Sequence, residues 1–332
     1  MGAIVVDRLS KSFISRSASS WRERLMLRAT EKEVLAVREI SFAIAAGERV
    51  AFIGPNGAGK STTLKMLTGI LHPTSGHAEV TGLVPWAARR ELAYRLGIVF
   101  GQRSQLWYHL AVRASFDLLA KIYAVDEAKY AARVSKLAEV FDIVPLLDRP
   151  VSQLSLGQRI RCEVVGALLH EPQVLLLDEP TIGLDVTSKA ALRDHLNALS
   201  REQGTTVLLT SHDTGDIEKI CDRVIVIDQG SVLLDQPLER LKREYLQHRS
   251  IVLITEDETP VLDMPQVRAT PDGPYRLVVD VDVRTQSIER VVAEILTRLK
   301  VRDLVIENPP LEEIIRAIYR RTSSRSGAHV AA

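Results

Sequence analysis

The feature that most restricts this chain is Gly54-Pro-Asn-Gly-Ala-Gly-Lys-Ser61, set between an apolar run and an amphipathic one. Arg49–Ile53 reads as a buried strand that stops at Gly54. Residues 60–71 read as a helix with Leu64, Leu67 and Leu71 on one face, ending before His72-Pro73. Strand, glycine-containing loop and helix in that order fit G-x-x-x-x-G-K-[ST]. Gly57 and Gly59 allow a turn tight enough for successive N–H groups to converge on phosphate oxygens. The helix start adds its positive dipole end. Lys60 carries a mobile charge to the outer phosphates, and Ser61 offers a hydroxyl to Mg²⁺. Pro55, Asn56, Ala58 and Thr62 complete the cradle.

A second element has the chemistry to go with it. Leu175-Leu-Leu-Asp178-Glu179 is an apolar strand ending in two carboxylates at its C-terminal edge, where ligands sit in open α/β sheets. Asp178 is placed for the Mg²⁺ shell, and Glu179 can polarise a water for in-line attack on a γ-phosphate.

The surroundings are those of an α/β protein. Strand-like runs at 96–100, 174–178, 206–210 and 224–228 alternate with helix-like runs at 128–141, 188–203 and 213–221, which argues for a mostly parallel sheet. At about 150 residues per domain, 332 residues suggest two. The pattern changes after Gln236-Pro237. A charged connecting helix at 238–249 is expected there, then strands at 251–255, around Val267, at 275–283 and at 304–306, with helices at 286–299 and 311–321. That order suggests a small α+β domain. Residues 322–332, mostly Ser, Gly and Ala, read as a disordered tail.

Several function classes are set aside by composition. With 43 Lys+Arg against 42 Asp+Glu the chain has no overall basic footprint, so no nucleic acid is expected as a partner. Cys162 and Cys221 cannot make a disulfide framework, and buried thiols in a reducing compartment are the expectation. No apolar run approaches the 18 or so residues that span a bilayer. The N-terminal MGAIVVDRLS has neither the layout of a signal peptide nor, with Val6, that of a myristoylation site. Residues 14–33 interrupt the pattern. They hold Arg16, Arg22, Arg24, Arg28 and Lys32 with Trp21, Leu25 and Leu27 between them. A solvated surface insertion and a basic amphipathic element against lipid or a membrane partner both fit.

Leu154-Ser155-Leu-Gly157-Gln158, some twenty residues before the Asp-Glu pair, separates this chain from other phosphate-loop enzymes. Here the chain resembles the ATPase subunits of ATP-binding cassette (ABC) transporters. Further family parts stand in order: Gln102 after the strand ending at Phe100, Gly183-Leu-Asp185 after Glu179-Pro-Thr, and His212 after Thr206–Thr210. Phe13 falls where the family has an aromatic that stacks on adenine. The resemblance covers residues 4–235.

It implies a phosphate-loop ABC cassette over 1–237, with a mixed sheet core and a helical subdomain at about 101–172, followed by an α+β accessory domain at 238–321. It implies ATP and Mg²⁺ as cofactors, with Ser61, Gln102 and Asp178 toward the metal. Ser155, Gly157 and Gln158 would open a helix that contacts the γ-phosphate of ATP held by a second copy. Asp185 would line that interface, and His212 would orient the attacking water with Glu179 and Lys60. The 102–110 segment, with Leu106, Trp107, Tyr108 and Leu110, would face a permease subunit at the cytoplasmic side of the membrane. Leu156, where the family has the first of two glycines, is a departure. The Phe100-Gly-Gln-Arg-Ser-Gln-Leu-Trp and Pro180-Thr-Ile-Gly-Leu-Asp runs resemble ABC-2 exporters. The readings weighed against an exporter are an importer ATPase and a non-transport ABC protein of translation-factor or DNA-repair type. For the last two, the chain has one cradle rather than two, and no coiled coil or zinc insertion between cradle and signature.

Overall fold

Apolar runs with hardly a polar break, such as Val174-Leu-Leu-Leu177, must bury both faces, and a parallel sheet held between layers does so. In the computed structural model such strands form the middle of the larger of two compact units, Met1–Pro237 and Leu238–Ala332. The described residues are 2–17, 30–101, 104–245, 248–264, 267–307, 311–316 and 318–319.

The first unit runs β1 (Gly2–Ser17), β2 (Thr30–Ala45), β3 (Arg49–Ile53), α1 (Lys60–Leu67), β4 (Ser75–Val80), α2 (Arg89–Ala93) and β5 (Leu96–Phe100). A helical stretch follows: α3 (Val112–Ile122), α4 (Glu127–Val140) and α5 (Leu156–Leu168). Then come β6 (Val174–Asp178), α6 (Val186–Gln203), β7 (Thr206–Thr210), α7 (Thr214–Ile220), β8 (Arg223–Asp228) and β9 (Ser231–Pro237). The main sheet has the order β5-β6-β7-β3-β8-β9, with β9 alone antiparallel to its neighbour. Val50, Phe52, Leu176, Leu208 and Ile225 point into one core, shared with Leu64, Met66 and Leu67 of α1. Their strand neighbours Ala51, Leu175, Leu177, Leu209 and Val226 are buried as well, so both faces are covered. A three-stranded antiparallel sheet, β2-β1-β4, adds Ile4, Ile40, Ile44 and Val80 to the same core.

The second unit comprises α8 (Leu238–Tyr245), β10 (His248–Thr255), β11 (Arg268–Pro271), β12 (Arg276–Asp282), α9 (Ile288–Arg298) and β13 (Val301–Glu307). Its sheet, β11-β12-β10-β13, is antiparallel throughout. Leu277, Val279 and Val281 alternate with exposed Arg276 and Asp280, so one face makes the core with Val291 and Ile295 of α9.

Three sequence expectations change. Helix α1 ends at Leu67 and not at 71, because Gly69 adopts a left-handed backbone (φ +68°) that stops it. Of the charged run at 238–249 the described helix covers Leu238–Tyr245, and His248 already pairs with Asp282 at the start of β10. Sheet pairing overrides local helix propensity there. The interruption at 14–33 is in part strand: Ile14↔Glu33, Ser15↔Lys32, Arg16↔Glu31 and Ser17↔Thr30 extend the β1–β2 hairpin. Residues 18–29, with Trp21, Arg22, Arg24, Leu25, Leu27 and Arg28, lie outside the described residues, as does the 322–332 tail.

Candidate active site

The C-terminal ends of β3, β6 and β7 bring the site together. Strand β3 pairs with β7, and β7 pairs with β6 through Asp178↔Thr210, so the loops after all three open at one edge. The loop after β3 is the cradle. Its crest, Pro55, Asn56 and Gly57, is exposed, while Gly54, Ala58, Gly59 and Lys60 are buried. Gly59 takes φ +104°, and a Cβ there would stand 2.6 Å from the carbonyl oxygen of Ala36, so only glycine fits. It opens α1 with no side-chain cap, which leaves the first-turn N–H groups for an anion. The Lys60 ammonium donates to the carbonyls of Gly54 (2.5 Å) and Pro55 (3.1 Å). Burial pulls its pKa below the ordinary lysine value, against the opposing pull of Glu179 and Asp178. Thr62 is half-buried in the first turn of α1.

The carboxylates meet the cradle from β6. Ser61 Oγ donates to Asp178 Oδ2 at 3.2 Å, and Thr210 Oγ1 donates to Asp178 Oδ1 at 2.7 Å. Glu179 stands in the left-handed region (φ +56°), uncommon for a residue with a side chain. Its N–H is held there by Thr210 O and Thr210 Oγ1, each at 3.1 Å. Glu179 Oε2 accepts from the backbone N–H of His212 at 3.2 Å. His212 Nε2 lies 3.1 Å from Glu179 Oε1, within ion-pair range but off the hydrogen-bond line. Oε1 is thus buried with no hydrogen-bond donor. Burial pushes the Glu179 carboxyl pKa up, with His212 and Lys60 acting the other way.

The signature segment forms a helix tip of a different kind. Ser155 caps α5: its Oγ accepts from Gln158 N (3.3 Å), and Gln158 Oε1 accepts from Ser155 N (3.0 Å). Gln158 is therefore engaged inside its own helix. A Cβ on Gly157 would stand 2.5 Å from Gly183 O, so the tip rests on the loop after Glu179. Leu156 packs back on that loop, since a Cβ on Gly183 would meet Leu156 Cδ2 at 2.9 Å. Asp185 caps α6, accepting from Ser188 N and Ser188 Oγ, both at 2.8 Å, and these bonds lower its carboxyl pKa to about 2. Among the described residues no hydrogen bond joins Ser155, Gly157 or Asp185 to Lys60, Ser61, Asp178 or Glu179.

Gln102 lies outside the described residues. The residue before it, Gly101, donates its N–H to Asp178 O at 2.8 Å. Phe13 is 42% exposed on β1, with the Lys11 ammonium 5.4 Å from its ring centroid. The 106–110 cluster divides: Leu106 is buried, while Trp107, Tyr108 and Leu110 are exposed. Both cysteines are free and buried. Sequence reasoning passed over Thr210, which holds Asp178 and Glu179 at once. Its only signal was a hydroxyl closing an otherwise apolar strand.

A glycine-bearing loop with its lysine, a hydroxyl–carboxylate pair and a buried carboxylate beside them make a phosphate-loop nucleoside triphosphatase. Comparison with known proteins narrows the class. The ABC transporter family profile matches residues 37–182. The chain is 35% identical over 211 residues to the ABC transporter ATP-binding protein NatA of Bacillus subtilis (strain 168), covering 64% of this chain and 85% of that one. It is 32% identical over 285 residues to the daunorubicin resistance ATP-binding protein DrrA3 of Streptomyces coeruleorubidus, covering 84% and 89%. The solved ATP-binding subunit of an ABC transporter superposes with a TM-score of 0.62 at 26% identity, over 73% of this chain and 93% of that one. The chain belongs to the ATP-binding proteins of ABC transporters, and it is an ATPase.

Proposed function

We propose that this chain works as two copies that clasp ATP between them and power export of a drug-like or lipid-like small molecule through separate membrane-spanning subunits. Among the described residues no helix is long and apolar enough to cross a membrane, which fits a subunit held at the membrane by a partner. Export is supported by the likeness to a daunorubicin resistance protein over most of both chains. The first unit is the ATPase, with 101–172 as its helical subdomain. The second unit is read as an accessory domain that braces the dimer.

The roles follow from the geometry. The N–H groups of 54–61 and the Lys60 ammonium take the β- and γ-phosphates, and Lys60 leaves the Gly54 and Pro55 carbonyls to do so. The paired oxygens of Ser61 and Asp178 are the hard donors Mg²⁺ prefers, with Gln102 as a further one. Bound there, the ion neutralises charge on the phosphates. Glu179 accepts the proton of the attacking water, and His212 orients that water and the γ-phosphate. The partner copy brings the Ser155–Gly157 tip, and Asp185 lines the join. Phe13 lies against the adenine. Trp107, Tyr108 and Leu110 face the membrane subunit.

The observation that carries this reading is Glu179 Oε1, buried without a hydrogen bond 3.1 Å from His212 Nε2, on the residue next to the Asp178 that Ser61 bonds. Glu179→Gln should lower ATPase turnover by about 100-fold or more, as loss of a general base does. With Mg-ATP the same variant should sediment as a stable dimer. A variant that turns over normally, or stays monomeric with ATP bound, contradicts the proposal.

A further inference from the structure

Lys129, Arg133 and Lys136 recur at i, i+4 and i+7, a spacing that puts all three on one face of α4. Arg133 is engaged: it donates to Leu169 O and stands 2.5 Å from Glu171 Oε1. Among the described residues neither lysine ammonium has an ion pair. That face does not simply meet water. It forms part of the lining of a cavity of about 370 Å³, within the size range of small-molecule sites.

The cavity lies between the helical stretch and the sheet. One wall is α4, and the other is α6 with the turn between α5 and β6. Just past the end of α4 the two walls touch, where the Phe141 ring packs edge-on against His195 of α6 with centroids 5.1 Å apart. Thr205 Oγ1 donates to Pro172 O at 3.4 Å and joins the lead-in of β7 to that of β6. These two strands carry Asp178 and Thr210 at their far ends, so the cavity is on the opposite edge of the sheet from the cradle, about 15 Å of strand away. Buried Leu137, Leu168 and Leu199 supply apolar surface. Among the lining residues three cations face one carboxylate, Glu171. His195 adds no charge at pH 7, because burial, and then the Lys136 ammonium, hold its pKa below the ordinary histidine value against the pull of Glu202. Its Nε2 is buried with no hydrogen-bond partner.

An inorganic anion alone would leave the leucines unused, and a neutral apolar ligand would leave the lysines unused. We propose that this cavity binds a small amphiphilic organic anion, a single carboxylate or phosphate on a short apolar body. The anionic end lies among Lys129, Arg133 and Lys136, and the apolar body lies on Leu137, Leu168 and Leu199. Such a ligand bridges the helical stretch and the sheet core without touching the nucleotide. The site is complete within one chain, so it stands whether or not two copies share ATP.

The test is displacement of anilinonaphthalene sulfonate, a fluorescent aromatic anion, from the full-length chain with the cradle filled by saturating Mg-ADP. The dye should bind saturably. Octanoate and octyl phosphate should displace it, and whichever does so at the lower concentration identifies the anionic group. Octanol, which lacks the charge, and acetate, which lacks the apolar body, should not. Lys129→Ala/Lys136→Ala should weaken the displacing anion about tenfold. Ala132→Trp fills the hollow from the exposed side of α4, leaves the charges in place and should weaken it by at least about tenfold. Both variants should keep the parent's melting temperature and Mg-ADP affinity. Should Ala132→Trp melt early, the lysine pair decides alone. Absence of saturable binding, displacement by octanol or acetate as effective as by octanoate, or undiminished displacement in the lysine variant would each overturn the proposal.

Discussion

Helices α1 and α5 belong to one unit, and both begin at a motif that the family resemblance assigns to phosphate, yet they begin in opposite ways. Gly59 opens α1 with no side chain to satisfy its first N–H groups. Ser155 opens α5 with a reciprocal pair of hydrogen bonds to Gln158 and a close rest on Gly183. The first start is left unsatisfied and so has a strong appetite for an anion. The second is self-contained and stiff, and offers a preformed surface rather than a vacancy. On the proposed reading the difference is a division of labour: affinity for nucleotide would reside in the cradle, and the tip would add to the rate once a second copy presents it to a phosphate already held.

Three variants can break or sharpen this contrast. Lys60→Ala removes the mobile charge on the open side. ATPase turnover should fall by about 100-fold or more, and nucleotide affinity should fall with it. Equilibrium binding of a fluorescent ATP analogue checks this, and retained affinity would break the contrast at its stronger end. Gly157→Ala acts on the closed side. The added methyl meets the Gly183 backbone oxygen at 2.5 Å, so the tip or its supporting loop must shift. Turnover should drop about tenfold while the isolated chain binds nucleotide as before. A matching loss of affinity would show that the tip is no separate part.

The smallest effect is on stability. Burial lifts the carboxyl pKa of Glu163, on α5, to about 7, so the folded chain holds that proton more tightly than the unfolded one. The stability this contributes is fully present below about pH 4.5 and is lost as the pH rises through about 7. Glu163→Gln has no such proton to lose. It should melt above the parent at pH 8, by at most about 3 kcal/mol, and the gap should close toward pH 5. A pH-independent gap would mean that the carboxyl of α5 binds its proton equally tightly in the folded and unfolded chain.

The parts of the fold legible in the sequence are those under two-sided burial. Val174–Asp178 and Thr206–Thr210 were placed to the residue because an unbroken apolar run has little freedom. Strands β1 and β2 escaped notice. They alternate apolar and polar residues irregularly, with register shifts and left-handed Arg8 and Glu39 (both φ +44°) breaking the period. Among the site residues, Lys60, Ser61, Asp178 and Glu179 were readable from motif spacing and His212 from the family resemblance, and the structure brings them to one edge. Thr210 was not readable, because a hydroxyl ending a strand is ordinary until its partners are known.

Local spacing alone determined the open loop and the acid-tipped strand, since each depends on residues within a few positions of one another, while the signature helix came from the family resemblance. Only the tertiary structure decided that Thr210 grips the Asp178 carboxylate and the Glu179 backbone N–H from 32 and 31 residues away, and that Gly157 lies against Gly183. Those meetings depend on which strands pair and how helices settle on them. Burial over the whole core sets that, and no short stretch of chain carries it.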